Sequence, residues 1–206
     1  MSKITILSDI HGNAGVHERI MQWNDSTLQI GDCGFDYSYL RKWDPEKHKV
    51  LAGNHDNYSI MKKFPHFLGD FGTWNGIFFV RGAYSVDKDL RVQDRDWWIE
   101  EELTIEQGIF ALEEYERTKP GIVVTHDGPE QVAEHLLRPH QHRISTRTGQ
   151  LLGRMFEIHQ PKIWIFGHWH MSKKFFVPGF STDFICLNCE ETCVLDILEE
   201  NKDENT

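Results

Sequence analysis

Side chains that can bind metal ions occur in five short segments, and each segment follows an apolar stretch with the pattern of a β-strand. The segments are Asp9-Ile10-His11, Gly31-Asp32, Gly53-Asn54-His55-Asp56, His126, and Gly167-His168-Trp169-His170. In sheet-based folds, ligands gather at the carboxyl ends of strands, where turns can aim side chains inward. The repeated position after strands predicts that the five segments form one metal site.

The donor types narrow the choice of metal. The candidate ligands supply oxygen or imidazole nitrogen and no sulfur; they are Asp9, His11, Asp32, Asn54, His126, His168 and His170. This mixture suits manganese, iron, zinc, cobalt or nickel rather than calcium. It is too large a set for one ion with an open position, so we expect two divalent transition-metal ions that share a carboxylate, with manganese as the first choice. Such a pair can clamp a phosphoryl group and lower the pKa of a bridging water.

The charge of the whole chain and the charge of the predicted site have opposite signs. The formal net charge is −10, so we expect neither a stable complex with nucleic acid nor binding to an anionic membrane. At the site, two divalent ions outweigh Asp9, Asp32 and a bridging hydroxide, and surface charges are screened beyond about 8–10 Å. A phosphate-ester substrate is therefore the expected partner. The oligomeric state stays open.

Strands and helices alternate along the first half of the chain. Strands are predicted over 3–8, 27–30 and 49–52, and helices over 13–24 and 37–43. Strand–helix–strand alternation is typical of a largely parallel, buried sheet. In the first helix, the spacing of Val16, Ile20 and Trp23 predicts the inward face, and His17 is expected to be at least partly exposed.

The second half carries further strands and two longer helices. A capping-box pattern at Thr104 predicts a helix that runs to about Thr118, and a second amphipathic helix includes Leu151 and Phe156. Strands are predicted over 76–82, 122–124, 162–166, 174–177, 181–187 and 192–198. We expect the last strands to form a second, more antiparallel sheet. The cysteines, including Cys189, are expected to be reduced and packed in or near strands.

In this order, the five segments resemble the signature of the calcineurin-like metallophosphoesterase superfamily. The stretch from Arg81 to Asp87, followed by Arg91, resembles small metallophosphatases of phage and bacterial genomes. The resemblance implies an α/β fold, a four-layer α-β-β-α sandwich with two mixed β-sheets. It also implies the ligand sets: Asp9, His11 and His170 for one ion, Asn54, His126 and His168 for the other, and Asp32 as the bridge.

The resemblance further implies that His55 is a catalytic histidine that contacts the phosphate and protonates the leaving group. An imidazole without a metal can titrate near neutrality, which suits an acid. Asp56 and Asn13 are expected to support the ligands from behind. Ser/Thr protein phosphatases of this superfamily continue the Gly-Asp motif into Asp-Arg-Gly, whereas Asp32 is followed here by Cys33-Gly34-Phe35-Asp36. A dedicated phosphoprotein phosphatase is therefore disfavoured.

We expect a dinuclear metal-dependent phosphoesterase that hydrolyses phosphate monoesters by attack of a metal-bridging hydroxide. The alternatives are a phosphodiesterase acting on cyclic nucleotides or other small diesters, and a non-catalytic binding scaffold. Residues 1–198 are expected to form a single domain, with 127–147 as a candidate cap and 199–206 as an acidic flexible tail. In the cap, Arg138, Arg143 and Arg147 are candidates for substrate binding. The chain has no apolar run of about 20 residues and no secretory signal, so we expect a cytoplasmic location.

Overall fold

A computed structural model describes residues 2–137 and 144–197 of the chain. Four strands form the first sheet: β1 (Ser2–Leu7), β2 (Thr27–Ile30), β3 (His48–Leu51) and β10 (Thr192–Ile197). Their order is β10-β1-β2-β3, and β1, β2 and β3 run parallel while β10 pairs antiparallel with β1. The carboxyl ends of the three parallel strands therefore lie at the same edge of this sheet.

The second sheet has six strands, which are β4 (Phe71–Trp74), β5 (Ile77–Val80), β6 (Ile122–Thr125), β7 (Ile163–Phe166), β8 (Lys173–Phe176) and β9 (Asp183–Cys186). Their order is β4-β5-β6-β7-β9-β8. The four central strands are parallel, and the edge strands β4 and β8 are antiparallel to their neighbours. Four-residue apolar strands such as β5 are buried along their whole length, as expected for parallel strands covered on both faces.

Within residues 2–137 and 144–197, five α-helices connect the strands: α1 (Ala14–Trp23), α2 (Tyr58–Met61), α3 (Ile105–Thr118), α4 (Glu130–Ala133) and α5 (Arg147–Ile158). The predicted capping box of α3 is confirmed, because the Thr104 hydroxyl accepts from the Gln107 N–H and the Gln107 side chain accepts from the Thr104 N–H. The helix ends at Lys119, which has a φ of 43° and precedes Pro120. The segment predicted as a helix over 37–43 is a 3₁₀-helix, Ser38–Lys42.

Three apolar clusters define the layers. Ile6 of the first sheet and Val124 of the second belong to a cluster between the sheets. On the outer face of the second sheet, Trp164 packs edge-on against Phe156 of α5, with ring centroids 6.0 Å apart. A third cluster covers the outer face of the first sheet and includes Met21 of α1. The expected α/β fold, with helices outside two mixed β-sheets, is confirmed.

Two expectations about packing are wrong. The last strand, β10, joins the first sheet beside β1, and the second sheet is antiparallel only at its edges. Alternating hydrophobicity predicts a strand but not which open edge it will cover. In α1 the buried residues are His17 and Met21, whereas Trp23 is 78% exposed. These two buried residues are four positions apart and share a helix face, so His17 faces the sheet.

Some predictions concern residues that the structure does not describe. The tail over 199–206 lies outside the described residues, as does the segment 138–143 within the candidate cap. The division into a domain, a cap and a tail therefore stays a prediction. Among the described helices, none combines the length and the apolar character needed to cross a membrane.

Candidate metal centre

The seven predicted ligands come from turns that follow five strands. Asp9 and Asp32 follow β1 and β2, and Asn54 follows β3. His126 comes directly after β6, and the turn after β7 carries His168 and His170. Because the two sheets are packed face to face, the turns of one sheet meet those of the other, and the side chains converge at one end of the sandwich.

The backbone at the site is sharply bent. Residues with a positive φ other than glycine include five of the predicted ligands: Asp9 (46°), His11 (44°), Asp32 (56°), His168 (65°) and His170 (49°). Side chains disfavour this left-handed region, so it persists only where the surrounding contacts enforce it. The concentration of such residues at one place is characteristic of a functional site.

One group of donors consists of Asp9, His11, Asp32 and His170, whose ligand atoms all lie within 4.8 Å of one another. His11 Nε2 is 3.0 Å from His170 Nε2 and 3.8 Å from Asp32 Oδ2, and His170 Nε2 is 3.3 Å from Asp9 Oδ1. Donors around one ion, each about 2.0–2.2 Å from it, have separations of this size. The two histidine side chains are 34% and 46% exposed, so solvent reaches this group.

A second group forms around His126. Its Nδ1 lies 2.9 Å from the Ile30 carbonyl, which can only accept, so Nδ1 carries a proton and Nε2 of the neutral ring presents its lone pair. Nε2 lies 3.2 Å from Asp32 Oδ1 and 3.2 Å from Asn54 Oδ1. The Asn54 amide nitrogen donates to Ser85 Oγ, which turns its oxygen towards His126. Three electron-pair donors thus converge on one point, and these residues fit a cation.

Asp32 belongs to both groups, and His168 packs beside the second. Asp32 Oδ2 faces His11 while Oδ1 faces His126. The ring of His168 meets the ring of His126 edge-on, with centroids 5.2 Å apart. The backbone nitrogen of His168 lies 3.2 Å from Asp9 Oδ2. The arrangement can therefore hold two cations with one carboxylate between them.

The pKa shifts of His126 and Asp32 fit a site that can bind a cation. Burial alone would lower the pKa of His126, but Asp32 and Asp9 outweigh it and raise the pKa to about 10. Burial likewise opposes the charge of Asp32, yet His126 holds the pKa of that carboxyl well below its ordinary range. Without metal, a proton on His126 offsets the buried carboxylate charge. A bound cation would replace that proton.

Asp56 ties together the turns that carry Asp32 and Asn54. Its carboxylate accepts from the N–H groups of Asp32 at 2.9 Å and Gly53 at 2.7 Å, and from the Tyr37 hydroxyl at 2.9 Å. Burial and the Asp32 charge raise the pKa of Asp56 to about 7. Asp56 thus contacts the backbone of both turns, and its supporting role for the ligands stays a prediction.

Gly53 leaves the space that these ligands occupy. A Cβ at this position would lie 2.6 Å from His126 Nε2 and closer still to Asp32 Oδ1. Both separations are far below a normal van der Waals contact, so any side chain here would displace the shared carboxylate.

His55 lies at the edge of the site and contacts an arginine. Its backbone N–H donates to Asp32 Oδ1 at 2.8 Å, and its ring centroid is 5.3 Å from that of His11. Arg91 Nη2 lies 2.7 Å from His55 Nε2 and 2.9 Å from Nδ1. Burial, together with the charges of Arg91 and His11, lowers the pKa of His55 despite the opposing charge of Asp32.

Arg91 is a residue that sequence reasoning did not place at the site. Its side chain is 9% exposed, and it also donates to Asp87 Oδ2 at 3.0 Å and to the Asn54 carbonyl at 3.2 Å. Arg91 sits in an irregular loop far along the chain from Asn54, so neither periodicity nor spacing could indicate the contact. The only available signal was its place in the stretch that resembles small metallophosphatases.

The printed side-chain contacts of the remaining predicted site residues are with residues other than the seven ligands, or these residues lie outside the described part of the chain. The Asn13 amide, at the start of α1, donates to Glu190 Oε1 at 2.7 Å. Arg147 begins α5, and its Nη2 lies 4.0 Å from Glu102 Oε2, in a groove that also includes residues of α3. Arg138 and Arg143 lie outside the described residues.

Cys189 was expected only as a residue in or near a strand. It is exposed, and its sulfur lies within 4.8 Å of ligand atoms of His11 and His170. The turn that carries it is held by the Glu190 N–H, which donates to the Ser8 carbonyl at 2.9 Å. This position depends on the pairing of β10 with β1, which sequence reasoning did not anticipate.

The chain is similar to known proteins at the level of family and fold. A family model described as calcineurin-like phosphoesterase matches residues 2–172. The crystal structure of TT1561 of Thermus thermophilus has a TM-score of 0.56 and 10% sequence identity, and the match covers 96% of this chain and 99% of that one. Phosphopantetheinyl hydrolase of Mycobacterium tuberculosis matches with a TM-score of 0.44 and 14% identity, over 92% of this chain and 90% of that one. At 10% identity, the likeness to TT1561 concerns the fold alone. No curated protein sequence matches the chain significantly.

Proposed function

Given that the chain belongs to the calcineurin-like phosphoesterase family and is a phosphoric ester hydrolase, we propose that it hydrolyses phosphate monoesters with two divalent metal ions. Manganese is the first candidate for both ions, and iron, zinc, cobalt and nickel suit the same donors. The reaction adds water across the ester bond and gives an alcohol or phenol and inorganic phosphate.

The observation that carries this proposal is the position of the Asp32 carboxylate between two sets of donors. One oxygen faces His126 and the other faces His11. With one donor set the site would be mononuclear, whereas a carboxylate shared by two sets supports a pair. Two ions bound there would polarise the phosphoryl oxygens and lower the pKa of a water held between them.

The charge of the donor set favours a monoester over a diester. The only predicted ligands that carry charge are Asp9 and Asp32, because the others are neutral imidazoles or an amide. Two divalent ions, these two carboxylates and the attacking hydroxide therefore leave one net positive charge in the site. A monoester dianion carries twice the charge of a diester monoanion and is attracted to this site more strongly. The family as such covers phosphoester hydrolysis in general, so this preference is the part that needs a test.

His55 and Arg91 have distinct roles in the proposal. His55 is the acid that gives a proton to the leaving oxygen when the ester bond breaks. Arg91 is a positioning residue: its Nη2 lies 2.7 Å from His55 Nε2, and its other donors hold Asp87 and the Asn54 carbonyl. This fork fixes the His55 ring against the turn that carries Asn54.

The test compares 4-nitrophenyl phosphate with bis(4-nitrophenyl) phosphate on manganese-loaded protein. We expect a higher kcat/KM for the monoester, and we expect His55→Asn to lower the monoester rate by about 10²–10⁴ while both metals stay bound. A higher kcat/KM for the diester would replace the monoester proposal with the phosphodiesterase alternative. Loss of both activities with full metal content would support the binding scaffold instead.

A further inference from the structure

A second cavity adjoins the metal centre on the side of His168 and Trp169. It has a volume of about 150 Å³, and its apolar lining comes from Tyr84, Val86, Ala133, Leu137, Ile144 and Trp169. The cavity over the metal centre, which includes Asp32 and His55, shares Val86, His168 and Trp169 with it. The two spaces are therefore neighbours, and a molecule held by the metal site could extend into the apolar one.

The size of the apolar cavity limits what can enter it. A volume of 150 Å³ equals that of engineered protein cavities that bind one benzene molecule. A fused ring system or a long chain needs more space, whereas a methyl or ethyl group leaves most of the cavity unfilled. The fit is to one six-membered ring.

An acidic residue of the lining adds a second restriction. Asp127 lies at the pocket wall, and its Oδ1 accepts from Trp169 Nε1 at 2.9 Å and from the Gly128 N–H at 2.7 Å. A fixed carboxylate beside an apolar space disfavours a leaving group that carries a further phosphate or carboxylate.

We propose that this cavity, called the leaving-group pocket from here on, receives a single uncharged ring on the alcohol or phenol side of the phosphate ester. The substrate class is thus a small aryl or arylmethyl phosphate. This inference rests on the proposed monoesterase activity and adds to it the chemical nature of the group that leaves.

Binding of two phosphonates tests the pocket without turnover. Phenylphosphonate and methylphosphonate carry the same phosphoryl group and cannot be hydrolysed at an ester bond. We expect manganese-loaded protein to bind phenylphosphonate at least about tenfold more tightly in calorimetry, a difference of about 1.4 kcal/mol. Equal affinity for the two compounds would contradict the proposal that this pocket binds a ring.

Turnover of matched esters separates failure of the pocket from failure of the proposed function. Benzyl phosphate and ethyl phosphate have alcohols of similar acidity, so their intrinsic reactivity is alike. We expect kcat/KM to be at least about tenfold higher for benzyl phosphate. Equal kcat/KM values for the two esters would contradict the proposed role of the pocket, while the phosphatase proposal would still hold. If neither ester is hydrolysed, the phosphatase proposal fails, and the phosphonate affinities still decide whether the pocket binds a ring.

A substitution that fills the pocket gives an internal check. Val86 lines the pocket and is 73% exposed, so Val86→Trp can place a ring in the cavity without disturbing the core. We expect this variant to bring the ratio of the two phosphonate affinities close to one. Leu90→Trp is the matched control, since Leu90 lies in the same connection between β5 and α3, is 87% exposed and lines neither cavity. A ratio unchanged by Val86→Trp would contradict the assignment.

Discussion

Asp32 Oδ1 lies 3.2 Å from His126 Nε2, and the two residues follow strands of different sheets. This contact links the end of β2 to the end of β6 across the sandwich. Both side chains are buried, and each shifts the ionisation of the other. A buried carboxylate paired with a histidine lone pair needs a proton or a metal ion between them, so the fold itself creates the binding site.

Replacing the shared carboxylate should affect both ions together. Asp32→Asn keeps the size of the side chain and removes the charge that faces His11 on one side and His126 on the other. We expect both metal equivalents to be lost, as measured by mass spectrometry of protein passed through a desalting column. Asp36→Asn is the control, because Asp36 is exposed in the same loop and its carboxylate accepts from the Ser38 N–H, away from the metal ligands. Loss of a single equivalent would show that Asp32 serves one ion only.

Arg91 should act on catalysis through His55. Arg91→Lys keeps the charge and loses the fork that holds the ring, so we expect kcat to fall about tenfold with metal content and KM little changed. In a His55→Asn background the same substitution should have almost no further effect. Equal losses in both backgrounds would mean that Arg91 does not work through His55. Arg95→Lys, at a side chain that is 68% exposed, is the control.

The space beside Gly53 should be needed for metal binding. In Gly53→Ala the new methyl group would overlap Asp32 Oδ1, so the carboxylate must move. We expect metal affinity to fall by about 10–100-fold, the usual effect of disturbing the surroundings of a ligand. Competition with a chromogenic chelator measures this change. Gly121→Ala should leave affinity unaltered, since a Cβ at Gly121 has no neighbour within 4 Å among the described residues, and a similar loss there would refute the explanation.

His17 should make the fold sensitive to mild acid. Burial, with smaller contributions from the charges of His48 and His66, lowers the pKa of His17 from 6.5 to about 3. The unfolded chain therefore binds a proton that the folded chain rejects, and stability is lost as the pH falls from 6.5 towards 3. Its share of this loss between pH 7.5 and pH 5 is about 2 kcal/mol.

Urea unfolding of wild type and His17→Asn at the two pH values measures that share. The asparagine side chain of this variant cannot take up a proton but can still meet the hydroxyl of Tyr39, which lies 2.9 Å from His17 Nδ1 in the wild type. We expect the variant to lose less stability on acidification than the wild type. Parallel losses in the two proteins would show that His17 is not the titrating group.

The residues that can bind metal could be located from the sequence because each comes shortly after a predicted strand. Asp9, Asp32 and His126 each follow an apolar strand, and the ends of parallel strands meet at one edge whatever the connections between them. The two-sheet fold follows from the same motifs through the family resemblance. The position of a residue directly after a parallel strand predicts which side chains meet at that edge of the sheet. This prediction depends little on how distant parts of the chain pack.

Other features depend on packing that a one-dimensional pattern does not contain. Trp23 has the more apolar side chain, yet it is exposed at the end of α1, whereas His17 shares the buried face of this helix with Met21. The pairing of β10 with β1 was not predicted, because the pattern of a strand does not indicate which other strand it pairs with. Arg91 and Cys189 reach the site from loops whose course is set by the completed sheets.

In the proposed site, Asp32 lies between two metal ions. The most direct test is a crystal structure of manganese-soaked protein with an anomalous difference map. We predict two peaks about 3.5–4 Å apart, each in contact with a different oxygen of Asp32. A single peak, or a second peak out of reach of Asp32, would contradict the account.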